Sequence, residues 1–236
     1  MNKKIVLITQ SKGGSGKSVL CYLLAEKYPD ALIVDMDQST KTTSRQLAYR
    51  KPILQSLLSD KNNIDREKLA YFLESLSQSK DELIFCDLGA AISEQLPYFI
   101  QDTQDDLTEL MEELQIDLYL YCVVTGGDMF SASMEYLSAL NQSLIPPGTA
   151  KKKPPRLLSL TAMVNDFRPM KDAQQQQFTH FMTQEGISHY TYNLLEVESE
   201  FARERVEKVL ASGQGIQNQA VFSKRYFRKA IKKLAV

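Results

Sequence analysis

The chain has 236 residues, 43% of them hydrophobic and 24% charged, which is ordinary for a soluble globular protein with a substantial core. Lysine and arginine total 28 against 29 aspartate and glutamate residues, so the net charge of −1 gives no sign of a polyanionic partner, and only local clusters could bind one. No apolar run approaches the roughly 20 residues that cross a bilayer, and the N-terminus is not a signal peptide, so we expect a cytoplasmic protein.

Short apolar runs rich in β-branched residues alternate along the chain with longer stretches of helical spacing. This alternation is typical of βαβ units around a parallel sheet, joined by right-handed crossovers. In chain order it predicts strand Lys4–Gln10, helix Ser18–Tyr28, strand Ala31–Asp37, helix Asp65–Ser79, strand Glu82–Leu88, helix Asp102–Gln115, strand Asp117–Thr125, helix Met129–Ser143, strand Arg156–Asn165, strand Ile187–Leu194 and helix Ser199–Ala211. The predicted fold class is α/β, in a single domain over residues 1–236.

The segment Ser11–Ser18, with the sequence SKGGSGKS, follows the first predicted strand and opens the first predicted helix, as a phosphate-binding loop must. Its glycines let successive backbone N–H groups turn toward a phosphate, and the helix N-terminus adds partial positive charge. Lys17 can reach the β- and γ-oxygens of a nucleotide, and the Ser18 hydroxyl can ligate Mg²⁺. The predicted phosphate-binding residues are Gly13, Gly14, Ser15, Gly16, Lys17 and Ser18.

Lys12 sets this loop apart from the general pattern GxxxxGK[ST], because Ser11 stands where the first glycine should be and a second lysine precedes the glycine pair. The motif resembles the deviant Walker A motif of the ParA/MinD family of P-loop ATPases, and the chain looks most like the short plasmid-type ParA partition ATPases. The resemblance implies a P-loop NTPase fold with a twisted, mostly parallel sheet flanked by helices on both faces. It also implies ATP and Mg²⁺ as cofactors.

Acidic residues and an asparagine stand at three further strand ends. Asp35 and Asp37 are separated by one residue at a strand end, so both can face the metal and the γ-phosphate. By the resemblance, Asp37 orients the attacking water and Asp35 supports the metal shell. Asp87 ends the apolar strand LIFCD like a Walker B aspartate that holds a Mg²⁺-bound water, with Gly89 near the γ-phosphate. Asn165 is either the family's adenine-binding asparagine or a turn residue.

The resemblance implies a reaction that works by positioning and charge neutralisation, without a covalent intermediate. Lys12 would reach across a nucleotide-sandwiched homodimer, so that ATP holds two subunits together. The resemblance also implies slow hydrolysis that a ParB-like or adaptor protein stimulates. It further implies non-specific DNA binding, and positioning or segregation of plasmid DNA or a similar cargo. A MinD-like ATPase that cycles on a membrane surface and an ATP-dependent metabolic ligase stay open as alternatives. The implied catalytic residues are Lys12, Lys17 and Asp37, and the implied metal-site residues are Ser18, Asp35 and Asp87.

Local charge clusters stand out against the balanced total. A basic C-terminal helix is predicted at about 223–236, with an apolar stripe at helical spacing. A docked helix that offers its charges to DNA phosphates, an amphipathic membrane anchor and a merely solvated helix all fit this pattern. The basic patch at 151–156 is typical of a solvated loop. The stretch 102–117 carries seven acidic residues and no basic one, which suits a solvated face or the docking of a basic partner segment.

Cysteine and histidine usage argues against two classes of site. Cys21, Cys86 and Cys122 lie far apart inside apolar stretches and form no CxxC pair, so we expect reduced core residues. The two histidines, His180 and His189, have no second ligand at useful spacing, so the sequence indicates neither a zinc site nor a hydrolytic triad.

Overall fold

The structure is a computed structural model that describes residues 2–145, 158–193 and 200–234. The strands of this described part are β1 (Lys3–Thr9), β2 (Leu32–Asp35), β3 (Ile53–Leu54), β4 (Leu83–Asp87), β5 (Ile116–Thr125), β6 (Leu158–Asn165) and β7 (Ser188–Tyr192). Its α-helices are α1 (Lys17–Lys27), α2 (Thr42–Gln46), α3 (Arg66–Ser77), α4 (Ala90–Leu114), α5 (Phe130–Ser143), α6 (Asp172–Glu185), α7 (Glu200–Ser212) and α8 (Val221–Lys233). None of these helices is long and apolar enough to cross a membrane. The basic patch predicted at 151–156 lies outside the described residues.

The seven strands form one sheet in the order β3-β2-β4-β1-β5-β6-β7, and every neighbouring pair is parallel. The predicted α/β class with a parallel sheet is confirmed. β1 and β4 are neighbours, but the chain leaves them in opposite directions. From β1 it continues through α1, on one face of the sheet, to β2, and from β4 it continues through α4, on the other face, to β5. Connections that diverge in this way open a crevice at the carboxyl ends of the two strands, where ligands bind in open α/β sheets.

Two apolar cores cover the two faces of the sheet, as a parallel sheet requires. One core joins alternate strand residues, such as Ile5 and Leu118, to helices α3, α4, α5 and α6. The other joins the intervening residues, such as Val6 and Val123, to α1, α7 and α8. Helices therefore flank both faces, as predicted. All three cysteines are free and buried in these cores, which confirms the expectation of reduced core residues.

Helix α4 is longer than the sequence pattern predicts, since it begins at Ala90 rather than at Asp102. Pro97 lies in the added half, and proline lacks the N–H that would bond the carbonyl group of Ser93 one turn earlier. The buried Tyr136 hydroxyl of α5 donates a hydrogen bond to that carbonyl oxygen at 2.7 Å. A tertiary contact thus replaces the missing helical bond, and the helix runs through its proline.

Among the strands and α-helices of the described residues, three were not predicted. α2 and β3 have only five and two residues, too few for a periodic pattern. α6 is mostly polar and buries only Phe178 and Met182, so its helical periodicity is weak. The predicted element ends at Arg156, Leu194 and Ser199 lie outside the described residues.

Candidate nucleotide-binding site

A cleft of about 600 Å³ opens at the carboxyl edge of the sheet, at the crevice between the loops that follow β1 and β4. Its lining comes from the loop between β1 and α1, from residues between Asp37 and Gln46, from the end of β6 and from α7. This volume is typical of a site for a small organic ligand or cofactor. The predicted phosphate loop therefore forms one wall of a cleft large enough for a nucleotide.

The phosphate loop takes backbone conformations that its glycines permit. Gly14 and Gly16 have φ values of 73° and 97°, in the left-handed region where a side chain would be strained. Gly16 precedes α1 and has no side chain that could cap the helix, so no side-chain cap is present at this end of α1 in the described part of the chain. Free N–H groups at a helix N-terminus, preceded by a glycine-rich turn, are suited to a phosphate group.

The two lysines of the loop differ in exposure. Lys17, the first residue of α1, is half-buried, and its Nζ donates to the Gln10 carbonyl oxygen at 3.0 Å. Burial lowers the pKa of Lys17, while the carboxyl groups of Asp87 and Asp37 oppose that shift. Lys12 is exposed at the tip of the loop. One lysine is thus held inside the cleft near acidic groups, and the other is open to solvent.

Two side chains from the end of the sheet hold the phosphate loop in shape. The Asn165 side-chain amide donates to the Ser15 carbonyl oxygen at 2.9 Å, and the Tyr192 hydroxyl donates to the Gly16 carbonyl oxygen at 3.2 Å. Both side chains are buried, and a Cβ atom at Gly16 would collide with the Asn165 amide. Asn165 therefore supports the loop backbone, and its contact with adenine stays a prediction.

Asp87 is the centre of the candidate metal site. Ser18 Oγ donates to its Oδ2 atom at 2.7 Å, and Thr43 Oγ1 donates to the same oxygen at 2.6 Å. The Oδ1 atom is buried and has no hydrogen-bond partner among the described residues. Burial raises the pKa of Asp87 to about 6, although the two hydroxyl groups and Lys17 act to lower it. A buried carboxylate with an unpaired oxygen, next to a serine hydroxyl, provides the oxygen ligands that Mg²⁺ prefers.

Asp35 and Asp37 both bind the backbone that follows β2. Asp35 is buried and accepts hydrogen bonds from the backbone N–H groups of Asp37 at 3.0 Å and Ser44 at 2.7 Å. Asp37 accepts from the N–H and hydroxyl groups of both Ser39 and Thr40. Burial acts to raise the pKa of Asp37, but these four hydrogen bonds lower it overall. Asp37 is thus a carboxylate that lines the cleft, and the predicted roles of both residues toward metal and water stay predictions.

These residues fit a nucleoside triphosphate with Mg²⁺. Besides Asp87 Oδ1, the buried Ser15 Oγ atom has no partner in the described part of the chain. Within that part, no group of three or more histidine, cysteine or acidic residues could hold a metal ion by itself. Mg²⁺ suits such a site, because it keeps several waters and shares one or two protein ligands with substrate phosphates. Lys17 would neutralise phosphate charge.

The structure brings most of the predicted site residues to one place. Residues Gly13–Ser18 of the phosphate loop, Asp37 and Asn165 line one cleft, and Asp87 accepts a hydrogen bond from Ser18, one of the lining residues. Thr43 and Tyr192 were not identified from the sequence. Thr43 lies in a helix too short for a pattern, and Tyr192 could have been found only through its pairing with Asn165 across β6 and β7.

Comparison with known proteins gives distant likenesses, and no protein-family model matches the chain. A stretch of 128 residues is 27% identical to the protein TraL of Escherichia coli and covers 52% of this chain and 51% of that protein, so the chain spans about half the length of this curated relative. A plasmid partition protein from Borrelia burgdorferi has a TM-score of 0.46 at 13% identity, with 89% of this chain and 97% of that chain covered. Chloroplast FtsY from Physcomitrella patens has a TM-score of 0.48 at 10% identity, with 98% of this chain and 65% of that chain covered. Both structures are too remote to assign a function or a partner.

Proposed function

We propose that this chain is an ATP-dependent switch of the ParA type, which binds ATP and Mg²⁺ in the cleft, dimerises on ATP and slowly hydrolyses it. The observation that carries the proposal is the placement of the two loop lysines. Lys17 lines the cleft and donates to the Gln10 carbonyl, whereas Lys12 is exposed and precedes Gly13, the first loop residue that lines the cleft. An exposed lysine at the rim of a phosphate loop can reach the phosphates of a nucleotide held by a second subunit.

The chemistry asked of these residues is positioning and charge neutralisation. Binding of the nucleotide exchanges the bond between Lys17 and the Gln10 carbonyl for bonds to phosphate oxygens. Ser18 and Asp87 would hold Mg²⁺, which would neutralise phosphate charge. The lowered pKa of Asp37 makes it a weak base, so it orients the attacking water rather than strongly activating it. Slow hydrolysis that a ParB-like or adaptor protein stimulates is consistent with that weak base.

Paired lysine variants test the proposal. Lys17→Ala should lose the rise in unfolding temperature that ATP and Mg²⁺ cause, because the cleft loses its internal cation. Lys12→Ala should keep part of that rise. It should no longer dimerise with ATP in sedimentation velocity, and its release of phosphate from ATP should be slower than that of wild type. Equal ATPase rates for Lys12→Ala and wild type would contradict the switch. Turnover that required an added small molecule would favour a ligase instead.

A third variant separates binding from hydrolysis. Asp37→Ala should bind ATP and Mg²⁺ and accumulate as a dimer, while its hydrolysis rate falls on the order of 10²-fold or more. A monomeric, nucleotide-free Asp37→Ala protein would instead show that the carboxylate is needed to shape the loop after β2.

The basic helix α8 provides the surface for non-specific DNA. Its apolar stripe is turned into the protein, since Phe227, Ala230 and Leu234 are each at most 2% exposed. Arg225 and Lys232 are exposed, as is Arg228 between them, and this spacing places all three on one side of the helix. The helix thus offers charge rather than apolar side chains to a partner. This favours DNA phosphates over insertion into a membrane.

Salt dependence tests the DNA surface. The logarithm of the affinity for duplex DNA should fall with the logarithm of salt concentration by about 0.9 per phosphate contact, and more steeply when ATP pairs two subunits. Removal of three charges from α8 should flatten the slope by roughly three units. The α8 variant changes Arg225, Arg228 and Lys232 to alanine, and its matched control changes the exposed residues Lys61, Arg66 and Lys80. Equal slopes for the two variants, or binding to anionic vesicles without DNA binding, would refute this surface.

A further inference from the structure

The segment that carries Thr43 continues into a contact with the turn before α8. α2 is followed by the short helix Ala48–Arg50, and the backbone N–H of Tyr49 donates to the Gly213 carbonyl oxygen at 3.1 Å. A Cβ atom at Gly213 would lie 2.6 Å from the Arg45 carbonyl oxygen, so the two backbones touch. We name Thr42–Arg50 the switch segment and Gly213–Asn218 the α7–α8 turn.

Glu26 of α1 joins the same two parts of the chain. The Tyr49 hydroxyl donates to Glu26 Oε1 at 2.6 Å, and the backbone N–H of Ile216 donates to the same oxygen at 3.0 Å. Burial raises the pKa of Tyr49, and its hydrogen bond to Glu26 raises it further, so the phenol is the donor. The Tyr49 ring also lies against Gly215, where a Cβ atom would be 2.8 Å away. One carboxylate oxygen therefore ties the switch segment to the α7–α8 turn.

The two helices that flank the α7–α8 turn connect the nucleotide cleft with the basic helix α8. Val206 and Leu210 of α7 line the nucleotide cleft. Phe227 of α8 packs on Tyr22 of α1 with ring centroids 5.5 Å apart, one helical turn from Glu26. α7, the α7–α8 turn and α8 thus form one continuous stretch of chain from the cleft to the exposed basic residues Arg225, Arg228 and Lys232 of α8.

We propose that Tyr49 and Glu26 are positioning residues that transmit the state of the nucleotide cleft to α8. The inference rests on the proposed function, since it takes the site around Asp87 to be where nucleotide and metal bind. Thr43 and Ser18 share one Asp87 oxygen. A metal ion that bound Asp87 and Ser18 would therefore compete with the Thr43 hydroxyl for this carboxylate. Because the switch segment is tied to the α7–α8 turn at its far end, a shift of Thr43 that the segment carries to Tyr49 would act on the turn through the contact between Tyr49 and Glu26.

Hydrogen–deuterium exchange of the full chain tests this coupling without using DNA. Peptides covering α8 are followed with and without Mg²⁺ and the non-hydrolysable analogue AMP-PNP. Coupled sites usually change one another's equilibria about 5- to 150-fold, so exchange in wild-type α8 should change by this factor where it reports the opening equilibrium of the helix. Tyr49→Phe keeps the ring but loses the donor, which should reduce that change about 2- to 12-fold. Tyr98→Phe is the matched control, since Tyr98 on α4 is 73% exposed.

Two Glu26 variants separate transmission from general damage. Glu26→Gln keeps an oxygen acceptor for both donors and should behave like wild type. Glu26→Ala removes the side-chain acceptor of the Tyr49 hydroxyl and the Ile216 N–H. In this variant, exchange in α8 should no longer respond to the nucleotide, even where the nucleotide still raises the unfolding temperature.

Each outcome decides one of the two proposals. A wild-type protein whose unfolding temperature rises with nucleotide while α8 exchange stays constant overturns the coupling and leaves the proposed function standing. The same holds when Tyr49→Phe responds as strongly as wild type and Tyr98→Phe. No rise in the wild-type unfolding temperature with Mg²⁺ and AMP-PNP overturns the proposed function, and with it the coupling.

Discussion

Replacement of Asp87 by asparagine should stabilise the nucleotide-free protein at neutral pH, because it removes a buried charge that a bound metal would otherwise compensate. The side chain is 1% exposed, and its pKa is about 6 against the ordinary value of 3.8. By linkage, this difference lowers the free energy of unfolding of the protein with ionised Asp87 by about 3 kcal/mol. Asparagine keeps the shape of the side chain and an oxygen that can accept from Ser18 and Thr43.

The pH dependence gives the prediction its sign. The folded protein holds the proton on Asp87 more tightly than the unfolded chain does, so this contribution to stability is fully present below pH 3.8. This contribution to the free energy of unfolding decreases as the pH rises from 3.8 to about 6, and well above pH 6 it is absent. Asp87→Asn has no such loss. Its advantage over wild type should therefore be only about 1 kcal/mol at pH 4.5 and reach about 3 kcal/mol at pH 7, or about 6–12 °C in Tm.

Urea unfolding of both proteins in EDTA, at several pH values between 4.5 and 7.5, measures this difference directly. Glu94→Gln, at an exposed carboxylate of α4, serves as the control and should stay within about 0.5 kcal/mol of wild type. Addition of Mg²⁺ and ATP should reverse the order, because wild type alone gains the metal. A difference that does not vary with pH, or a wild type that is the more stable protein at pH 7 in EDTA, would refute the raised pKa of Asp87.

Three further substitutions test how the site is held in shape. Gly16→Ala should cost at least about 1–2 kcal/mol and abolish the nucleotide-induced rise in unfolding temperature. Gly13→Ala should keep the wild-type unfolding midpoint, because no atom of the described residues lies within 4 Å of the added carbon. Thr43→Val removes a buried donor to Asp87 and should lower the free energy of urea unfolding by about 1–3 kcal/mol, while Thr43→Ser should recover most of that loss. Tyr192→Phe should lose about 1 kcal/mol and bind ATP several-fold more weakly in calorimetry, and an unchanged affinity would show that the loop keeps its shape without this hydroxyl.

The parts of the site that the sequence predicted are those written in contiguous residues. The phosphate loop is recognisable because strand, glycine-rich turn and helix follow one another within Ser11–Ser18, and Asp87 because an apolar strand ends in it. Thr43 acts through a contact with a residue 44 positions away, from a helix of only five residues. Nothing in the local pattern of such a segment indicates which side chain will be buried.

The same limit explains the differences in the fold. The extra half of α4 depends on the Tyr136 hydroxyl, which supplies the bond that Pro97 cannot make to the Ser93 carbonyl. A proline inside a helical pattern predicts a break unless a partner from another element is known. Tyr192 likewise gains its role only after the register of β6 and β7 places it beside Asn165. Register is a property of the assembled sheet, not of either strand alone.

The supports of the phosphate loop also set an order of events during synthesis of the chain. Asn165 follows the loop residue it holds by 150 positions, and Tyr192 follows its own by 176. At about 5–20 residues per second, the ribosome releases the second support roughly 9–35 s after the loop itself. Until then the nascent chain carries the glycine-rich sequence without the bonds that shape it. Both bonds to the phosphate loop can therefore be present together only late in synthesis, after β7 has been made.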